Sequence, residues 1–411
     1  MKTRLTKERV FFSLGIVFIF AGIICNTWLL ARFSPDGIFD FSTKLKIWII
    51  EVFCIAVGFC LIKYRSSIKL PRYREILFSF VTFLLFILLF EGGLRVFYFI
   101  KHKTKESEMD FADYLGWEST PDNFWKREVK GYGEIKYSTT RYGFRVFGDV
   151  DSKKTKIFVI GDSFTQGTTV SDGETYYDYL RKSNEDIEIF TYACGGYGSL
   201  QEYMILDKYY DVIKPHVILW QFCSNDIINN DFDLESASFR NNNQMRRPYL
   251  QDGKIKWLYP KQKSGWLVQT SYLLRLLDIK MNILRAEKYG SIEDTLSNTH
   301  PLFIRAAKTT GEIMSSVKKR ASDVPIVAFS TDKPTWLGDT YFEICEKNGI
   351  HYIPGIPEAM EEAKRNGIII DYPPYDAHWN KIGHVIAGKI ILKYFIENKF
   401  IHSSPVKIQW E

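Results

Sequence analysis

Short apolar runs alternate with helix-like patterns from about residue 156 to the C-terminal region, and this alternation restricts the fold more than any other feature. Strand patterns occur near residues 156–160, 187–193, 217–222, 325–330 and 350–354. Helical patterns occur near residues 174–184, 199–213, 302–321, 338–348, 357–366 and 380–397. Strands that alternate with helices in this way favour a parallel sheet covered on both faces. The sequence therefore predicts an α/β domain with three layers.

A serine follows the first of these strands, in the stretch GDSFTQG at residues 161–167. Ser163 is thereby placed at the carboxyl end of a strand and near the amino terminus of the next helix. Unpaired backbone N–H groups at such a place can stabilise a developing oxyanion. Serine is also a common helix cap, so this motif alone leaves a purely structural role open.

A histidine in the stretch DAHWNKIGH, residues 376–384, precedes the last apolar helix pattern. A serine nucleophile needs a base, usually a histidine that a carboxylate orients. Asp376 lies two residues before His378 and is close enough in sequence to orient its imidazole. The alternative is an ordinary loop histidine, with Asp376 and Asn380 as helix caps.

The second and third strand patterns run into the stretches ACGGYGS, residues 193–199, and CSND, residues 223–226. A glycine N–H and an asparagine side-chain amide are donors of the kind that stabilise a tetrahedral oxyanion. All four stretches lie after strands or before a helix, at the edge where open α/β sheets place their sites.

Ser163, Gly196, Asn225 and His378, in these four stretches and in this order, resemble the sequence blocks of the SGNH (GDSL-type) hydrolase superfamily. The resemblance covers roughly residues 135–400, and the segment YGFR, residues 142–145, also resembles the lead-in of many bacterial members. It implies a flavodoxin-like α/β/α domain and ester chemistry without a metal or cofactor. Ser163 would attack the ester, His378 would act as the base and Asp376 would orient it. The N–H groups of Ser163 and Gly196 and the side chain of Asn225 would form the oxyanion hole.

Two positions depart from the usual pattern of that superfamily. The spacing here is Asp-x-His, whereas many members have Asp-x-x-His, and a subset that includes enzymes acting on polysaccharide acetyl groups is similar to this chain. Asp371 is therefore a weaker second candidate for the acid. Thr191 occupies the place where many members have asparagine in the second block, and the implied mechanism does not use that side chain directly.

The first hundred residues predict a membrane anchor with three transmembrane helices, at residues 10–31, 47–63 and 76–100. The first segment contains no charged residue and is long enough to span a bilayer. The third contains Glu91 and Arg95, which are four residues apart and can pair on a helix. A secretory signal is the alternative for the first segment, but the segment is long and no small-x-small cleavage pattern follows it.

Positive charges near these segments predict a cytoplasmic amino terminus and a cytoplasmic second loop. The charges concerned are Lys2, Arg4, Lys7, Arg9, Lys63, Arg65, Lys69, Arg72 and Arg74. We therefore expect a multi-pass protein of the cell membrane with an extracytoplasmic catalytic domain. One or three spans give this location, whereas two spans would leave the domain in the cytoplasm.

The remaining chain divides by its pattern into three further parts. Residues 101–150 are mixed polar and aromatic and predict a stalk with accessory strands at the edge of the sheet. Residues 151–403 form the predicted hydrolase domain. The interval 226–300 breaks its strand and helix rhythm beside Asn225. Such an insertion favours a lid or substrate-binding element over a neutral loop.

Charge and cysteine usage add two exclusions. The net charge of +6 is largely explained by the Lys and Arg residues that flank the predicted spans, so no nucleic-acid partner is expected. Of the six cysteines, Cys25, Cys54 and Cys60 lie in predicted spans. The other three, Cys194, Cys223 and Cys345, are an odd number without regular spacing, which argues against a disulfide framework.

Together these features predict a membrane-embedded serine esterase for which O-acetylated surface or cell-wall carbohydrate is the leading substrate, by analogy with the superfamily. An O-acyltransferase with the same residues stays open, because hydrolase and transferase differ only in what reaches the acyl-enzyme. Since three spans are too few to resemble the large membrane acyltransferases that move acyl groups across a bilayer, a transferase would need a membrane partner as acyl donor. A catalytically silent carbohydrate-binding protein of the same fold is the third possibility.

Overall fold

The computed structural model describes residues 7–24, 26–27, 41–67, 73–103, 109–129, 132–243, 245–260, 266–289, 291–332, 335–373 and 376–402. The chain forms two compact units, Met1–Phe90 and Glu91–Glu411.

The described part of the amino-terminal region contains three long apolar helices: α1 (Lys7–Ile24), α2 (Phe41–Lys63) and α3 (Tyr73–Lys103), the last of which continues into the second unit. Glycines allow α1 and α2 to approach closely. A Cβ atom on Gly15 would lie 2.7 Å from the Gly58 carbonyl oxygen, and one on Gly58 would lie 2.6 Å from the Gly15 carbonyl oxygen. Small residues at helix contacts are typical of helices that pack in membranes.

Two helical segments in the described part of the chain are long and apolar enough to cross a membrane. They are Lys44–Lys63 and Tyr73–Phe97, with mean hydropathies of 2.3 and 2.2. They coincide with the predicted spans 47–63 and 76–100 and, by length and composition alone, suggest association with a membrane. The predicted span 10–31 is helical over Lys7–Ile24, while residues 25 and 28–31 lie outside the described residues. The number of passes and their orientation stay predictions.

Twelve strands lie in the described part of the second unit. They are β1 (Met109–Ala112), β2 (Gly116–Ser119), β3 (Asn123–Val129), β4 (Gly133–Thr139), β5 (Val146–Phe147), β6 (Thr155–Gly161), β7 (Ile187–Ala193), β8 (Val217–Phe222), β9 (Arg247–Gln251), β10 (Lys254–Leu258), β11 (Ile326–Ser330) and β12 (His351–Tyr352). Six of them form the central sheet in the order β12-β11-β8-β6-β7-β5.

The central sheet is mainly parallel, which confirms the predicted fold class. Strands β6, β7, β8, β11 and β12 run parallel, and β5 pairs antiparallel with β7 at the edge. Counted along the chain, the five parallel strands lie in the order 2-1-3-4-5, which is the flavodoxin-like order. The order reverses between β6 and β8, so a crevice is expected at their carboxyl ends.

Helices cover both faces of this sheet. Alternate residues of β6 supply two separate cores: Phe158 and Ile160 face one, and Ile157 and Val159 face the other. The helices Ser199–Ile213, Pro301–Arg320 and Trp336–Lys347 cover the first face. The helices Tyr176–Ser183, Ile356–Arg365 and Lys381–Glu397 cover the second face. Burial on both faces explains why the strands appear in the sequence as continuous apolar runs.

The described part of residues 101–150 contains five strands, of which only β5 joins the central sheet. Strands β1 and β2 form one separate antiparallel hairpin, and β3 and β4 form another. Short connections bring each pair together locally, and local pairing satisfies their backbone groups without the central sheet. A close approach joins β2 to the insertion, because a Cβ atom on Gly116 would lie 1.9 Å from the Arg246 carbonyl oxygen.

The insertion 226–300 contains short helices, the antiparallel hairpin β9–β10 and the helix Tyr272–Tyr289. The amino terminus of that helix is capped by Glu91, whose carboxylate accepts hydrogen bonds from the N–H groups of Tyr272 and Leu273, each at 3.0 Å. Arg95 pairs with Glu91 at 2.9 Å, as their spacing on the helix predicts.

Candidate active site

The turn after β6 presents Ser163 at the start of the one-turn helix Ser163–Gln166. Asp162 caps this helix, since its carboxylate accepts a hydrogen bond from the Phe164 N–H at 3.0 Å. Gly161 lets two side chains approach the backbone before the turn, because a Cβ atom there would lie 2.4 Å from both Gln221 Oε1 and Thr165 Oγ1. The Ser163 side chain is partly exposed as a result, although the strand before it is buried.

A buried arginine holds the other end of this one-turn helix. The guanidinium of Arg145, from the segment YGFR, donates to the carbonyl oxygens of Gln166 at 2.7 Å and Gly167 at 2.9 Å. Unpaired carbonyl groups at the end of a helix need such partners. The segment therefore has a structural reason to precede the nucleophile turn.

Ser163, His378 and Asp376 form a continuous hydrogen-bonded chain. His378 Nε2 lies 2.7 Å from Ser163 Oγ, and His378 Nδ1 lies 2.6 Å from Asp376 Oδ1. The same Asp376 oxygen accepts the His378 backbone N–H at 3.0 Å. Asp371, the second candidate for the acid, instead pairs with Lys364 at 2.7 Å. The Asp-x-His spacing therefore suffices to bring a carboxylate onto the imidazole.

The charges around the imidazole favour its protonated form. Burial opposes protonation, but the hydrogen bond to Asp376 and its negative charge outweigh that effect, so the pKa of His378 lies above its ordinary value of 6.5. Burial likewise opposes ionisation of Asp376, but the hydrogen bonds from His378 prevail and lower the pKa of that carboxyl group. An ionised aspartate beside the histidine is the state that stabilises an imidazolium after proton transfer.

Two backbone N–H groups at the site have no acceptor among the described residues: those of Ser163 and Gly196. The groups around Gly196 are engaged, because the Gly195 N–H donates to Gln166 Oε1 at 2.8 Å and the Tyr197 N–H donates to the Cys194 carbonyl oxygen at 3.2 Å. Gly196 has a φ of +74°, a conformation that favours glycine. These are the two N–H groups that the sequence resemblance implies for the oxyanion hole.

Asn225 lies at the end of β8, in the first turn of the helix Ser224–Asn229. Its side-chain amide donates to the Tyr197 carbonyl oxygen at 3.2 Å and to Asn229 Oδ1 at 3.3 Å. Both contacts are at the long end of the hydrogen-bond range. Ser163, Gly196 and Asn225 thus follow β6, β7 and β8, three neighbouring strands of the sheet.

Three further residues that the sequence did not indicate contact the site. Trp117 Nε1 donates to the Gly195 carbonyl oxygen at 3.0 Å, and Arg247 donates to the Gly196 carbonyl oxygen at 2.6 Å. The Arg127 guanidinium lies 3.8 Å from Asp376 Oδ2, the oxygen that does not contact His378. They come from accessory strands or from the insertion and belong to no local motif.

Three free cysteines lie in the described part of the second unit: Cys194, Cys223 and Cys345. Burial raises the pKa of the Cys223 thiol well above its ordinary value, and it raises that of Cys345 to about 12. Cys194 is buried and unbonded to any other cysteine in the described part of the chain. A thiol that stays protonated is a poor nucleophile, so Cys223 and Cys345 are not activated.

The fold and this geometry define a class of protein: an α/β/α domain with a serine, a histidine and an aspartate linked at the carboxyl edge of its parallel sheet. No family model matches the chain, and no curated protein matches it.

Solved structures similar to the chain include a lipolytic protein of the G-D-S-L family from Veillonella parvula, with 13% identity over 58% of this chain and 97% of that one and a TM-score of 0.33. A psychrotrophic esterase from Pseudoalteromonas sp. has 11% identity over 60% and 99% of the two chains and a TM-score of 0.35. An acetyl xylan esterase from Butyrivibrio proteoclasticus has 13% identity over 64% and 68% and a TM-score of 0.31. Identities and TM-scores this low say nothing about the substrate of this chain.

Proposed function

We propose that the chain is a serine esterase of the SGNH type that hydrolyses acyl esters, with O-acetyl groups of surface or cell-wall carbohydrate as its substrate. The observation that supports this most directly is the hydrogen-bonded chain from Ser163 Oγ through His378 to Asp376. The partly exposed serine and the two N–H groups without acceptors support the same chemistry.

Acylation begins when Ser163 Oγ attacks the ester carbonyl carbon and His378 Nε2 takes the hydroxyl proton. The Asp376 carboxylate accepts a hydrogen bond from the Nδ1–H of His378 and stabilises the imidazolium. The carbonyl oxygen becomes an oxyanion, for which the N–H groups of Ser163 and Gly196 and the Asn225 amide are the donors. Collapse of this intermediate breaks the bond to the leaving alcohol, which receives the proton from His378.

Deacylation repeats these steps with water as the nucleophile. His378 takes a proton from the water, whose oxygen attacks the acyl carbon of the Ser163 ester. The intermediate then releases the carboxylic acid and returns the proton to Ser163 Oγ, so the enzyme ends as it began. A sugar hydroxyl in place of that water would make the same residues an acyltransferase.

Membrane association supports the choice of a surface glycan. The two apolar segments Lys44–Lys63 and Tyr73–Phe97 are consistent with an anchor. Together with the positive charges of the amino-terminal region, they motivate the proposal of a multi-pass anchor with an extracytoplasmic esterase. Substrate identity within this class rests on that location and on the sequence resemblance.

The test is hydrolysis of p-nitrophenyl acetate by the full-length protein in detergent. We expect wild-type turnover, and we expect Ser163→Ala and His378→Ala each to lower kcat by at least about 10³-fold, since the triad acts as a unit. The matched controls Ser316→Ala and His351→Ala change the same residue types on the helix Pro301–Arg320 and on β12 and should keep full activity.

Each contrary outcome selects a different function. Turnover that survives in Ser163→Ala would reject the serine mechanism. If the folded wild type releases p-nitrophenol only when an oligosaccharide acceptor is added, and the acetyl group is found on that acceptor, the protein is a transferase. A folded wild type that neither hydrolyses esters nor becomes labelled at Ser163 by a fluorophosphonate is a binding protein.

A further inference from the structure

We infer that Trp117 and Arg247 form a clamp that aims the Gly196 N–H into the site, so that an accessory strand and the insertion position the oxyanion hole. The inference rests on the proposed function, because it concerns the same site. In this arrangement the insertion supplies Arg247 to position the oxyanion hole, which is a different role from that of a lid.

Trp117 acts on the peptide unit that carries the Gly196 N–H. That unit also contains the Gly195 carbonyl group, and in a planar trans peptide the C=O and N–H point in opposite directions. The indole Nε1–H of Trp117 donates to the Gly195 oxygen at 3.0 Å. Fixing the oxygen on one side therefore fixes the direction of the N–H on the other side.

Arg247 contacts both Trp117 and the peptide unit that follows Gly196. Its guanidinium donates to the Gly196 carbonyl oxygen at 2.6 Å and lies 4.8 Å from the centre of the Trp117 ring. The exposed Asn243 amide donates to the same Gly196 oxygen at 3.2 Å. Because both peptide units that flank Gly196 are held, its backbone has little freedom to rotate.

A buried ion pair fixes Arg247 itself. Arg247 and Glu235 are both fully buried, and Arg247 Nε lies 3.2 Å from Glu235 Oε2. Tyr249 donates to the same Glu235 oxygen at 2.8 Å. Buried ion pairs contribute little net stability compared with apolar side chains of similar volume, and in some proteins they serve to fix a geometry. Here the geometry is that of the peptide next to an oxyanion donor.

The clamp predicts a loss of transition-state stabilisation without a loss of substrate binding. Trp117→Phe keeps a ring under the guanidinium but removes the donor to Gly195. Arg247→Lys keeps the charge but cannot reach both Glu235 and Gly196 with a single ammonium group. Loss of an oxyanion donor lowers kcat about 10²- to 10³-fold, and we expect misaiming one donor to lower it about 10-fold.

The experiment measures kcat and KM for p-nitrophenyl acetate and the inhibition constant of n-butylboronic acid, all with the full-length protein. The boronate forms a tetrahedral adduct with Ser163 Oγ, and one of its oxygens occupies the oxyanion position. We expect both variants to lower kcat and weaken boronate inhibition by the same factor, about 10-fold, with KM changed less than about twofold. Thermal unfolding confirms that each variant is folded.

Two control variants make the same types of substitution, Trp to Phe and Arg to Lys, at positions that do not contact Gly195 or Gly196. Trp336→Phe removes an indole from the helix Trp336–Lys347, where the ring packs against Phe303 with centroids 4.7 Å apart, and Arg240→Lys alters an insertion arginine that pairs with Asp294 at 2.7 Å. Both should keep wild-type kcat and boronate affinity.

If the wild type turns over but Trp117→Phe and Arg247→Lys match it in kcat and boronate affinity, the clamp is wrong while the esterase stands. A change confined to KM or to thermal stability would equally overturn it. A folded wild type that does not hydrolyse the ester would reject the proposed esterase function, and the clamp with it.

Discussion

His378 lies between charges of both signs, and their balance sets the pH at which it can act as a base. Burial lowers its pKa, while Asp376 and Asp162 raise it and Arg127 lowers it, with a net shift above 6.5. A general base must be unprotonated before it can accept a proton. Activity falls on the acidic side of the pH profile, the acidic limb, where His378 becomes protonated. A raised pKa of His378 moves this limb to higher pH.

We predict that the acidic limb of the kcat/KM profile lies above pH 6.5, the ordinary value for histidine. In Asp376→Asn the stabilising charge is lost, so the limb should move to lower pH while kcat falls by about 10³- to 10⁴-fold. Rates of p-nitrophenyl acetate hydrolysis over a range of pH values test both statements. The control Asp371→Asn breaks the pair with Lys364 and should leave the profile unchanged. A wild-type acidic limb at or below pH 6.5 would show that Asp376 and Asp162 do not outweigh burial and Arg127.

At the scale of elements, the hairpin of β3 and β4 supports the loop that carries Asp376. The Tyr132 ring packs edge-on against Tyr372 with centroids 4.8 Å apart, and its hydroxyl donates to the Pro373 carbonyl oxygen at 3.3 Å. Tyr372 and Asp376 in turn exchange backbone hydrogen bonds at 2.9 and 3.0 Å. The hairpin therefore stabilises the acid from outside the central sheet.

Arg127 gives this hairpin an electrostatic effect that can be measured. Its positive charge lies 3.8 Å from Asp376 and lowers the pKa of His378. In Arg127→Gln the acidic limb should move to higher pH, opposite to the shift in Asp376→Asn. The shift is expected to be small, because the arginine side chain is 44% exposed and solvent screens it.

The neighbouring Lys126 provides the control for this prediction. It pairs with Glu134 at 2.6 Å, and successive side chains of a strand point to opposite faces. Lys126→Gln should leave the pH profile unchanged. A shift of the limb to lower pH in Arg127→Gln, or an equal shift in both variants, would show that Arg127 does not act on the imidazole.

Elements with a strong local pattern could be predicted from the sequence, and elements defined by distant contacts could not. β6, β7 and β8 were predictable because burial on both faces leaves continuous apolar runs. Ser163 and His378 are 215 residues apart and were found because each lies in its own short motif. No local pattern shows that Trp117 and Arg247 meet at Gly196, since accessory and inserted strands bring them there. No local pattern shows the separate pairing of β1–β2 and β3–β4 either.

At the scale of the whole molecule, the number of membrane passes decides which substrates the proposed esterase can meet. Positive residues precede the predicted first span and crowd the loop before α3, which favours a cytoplasmic location for both segments. Lys101, Lys103 and Lys105 follow the third span and oppose that orientation. Since short loops with more positive charge stay inside, we expect the first set to prevail.

Reporter fusions after residues 36, 67 and 105 test this prediction in a bacterial host. Alkaline phosphatase is active only outside the cytoplasm, and green fluorescent protein fluoresces when fused on the cytoplasmic side. Three spans predict phosphatase activity after residues 36 and 105 and fluorescence after residue 67. One span predicts phosphatase activity at all three positions and still places the esterase outside. Fluorescence after residue 105 would place the site in the cytoplasm, and a surface glycan could then no longer be its substrate, even if Ser163 and His378 hydrolyse esters as proposed.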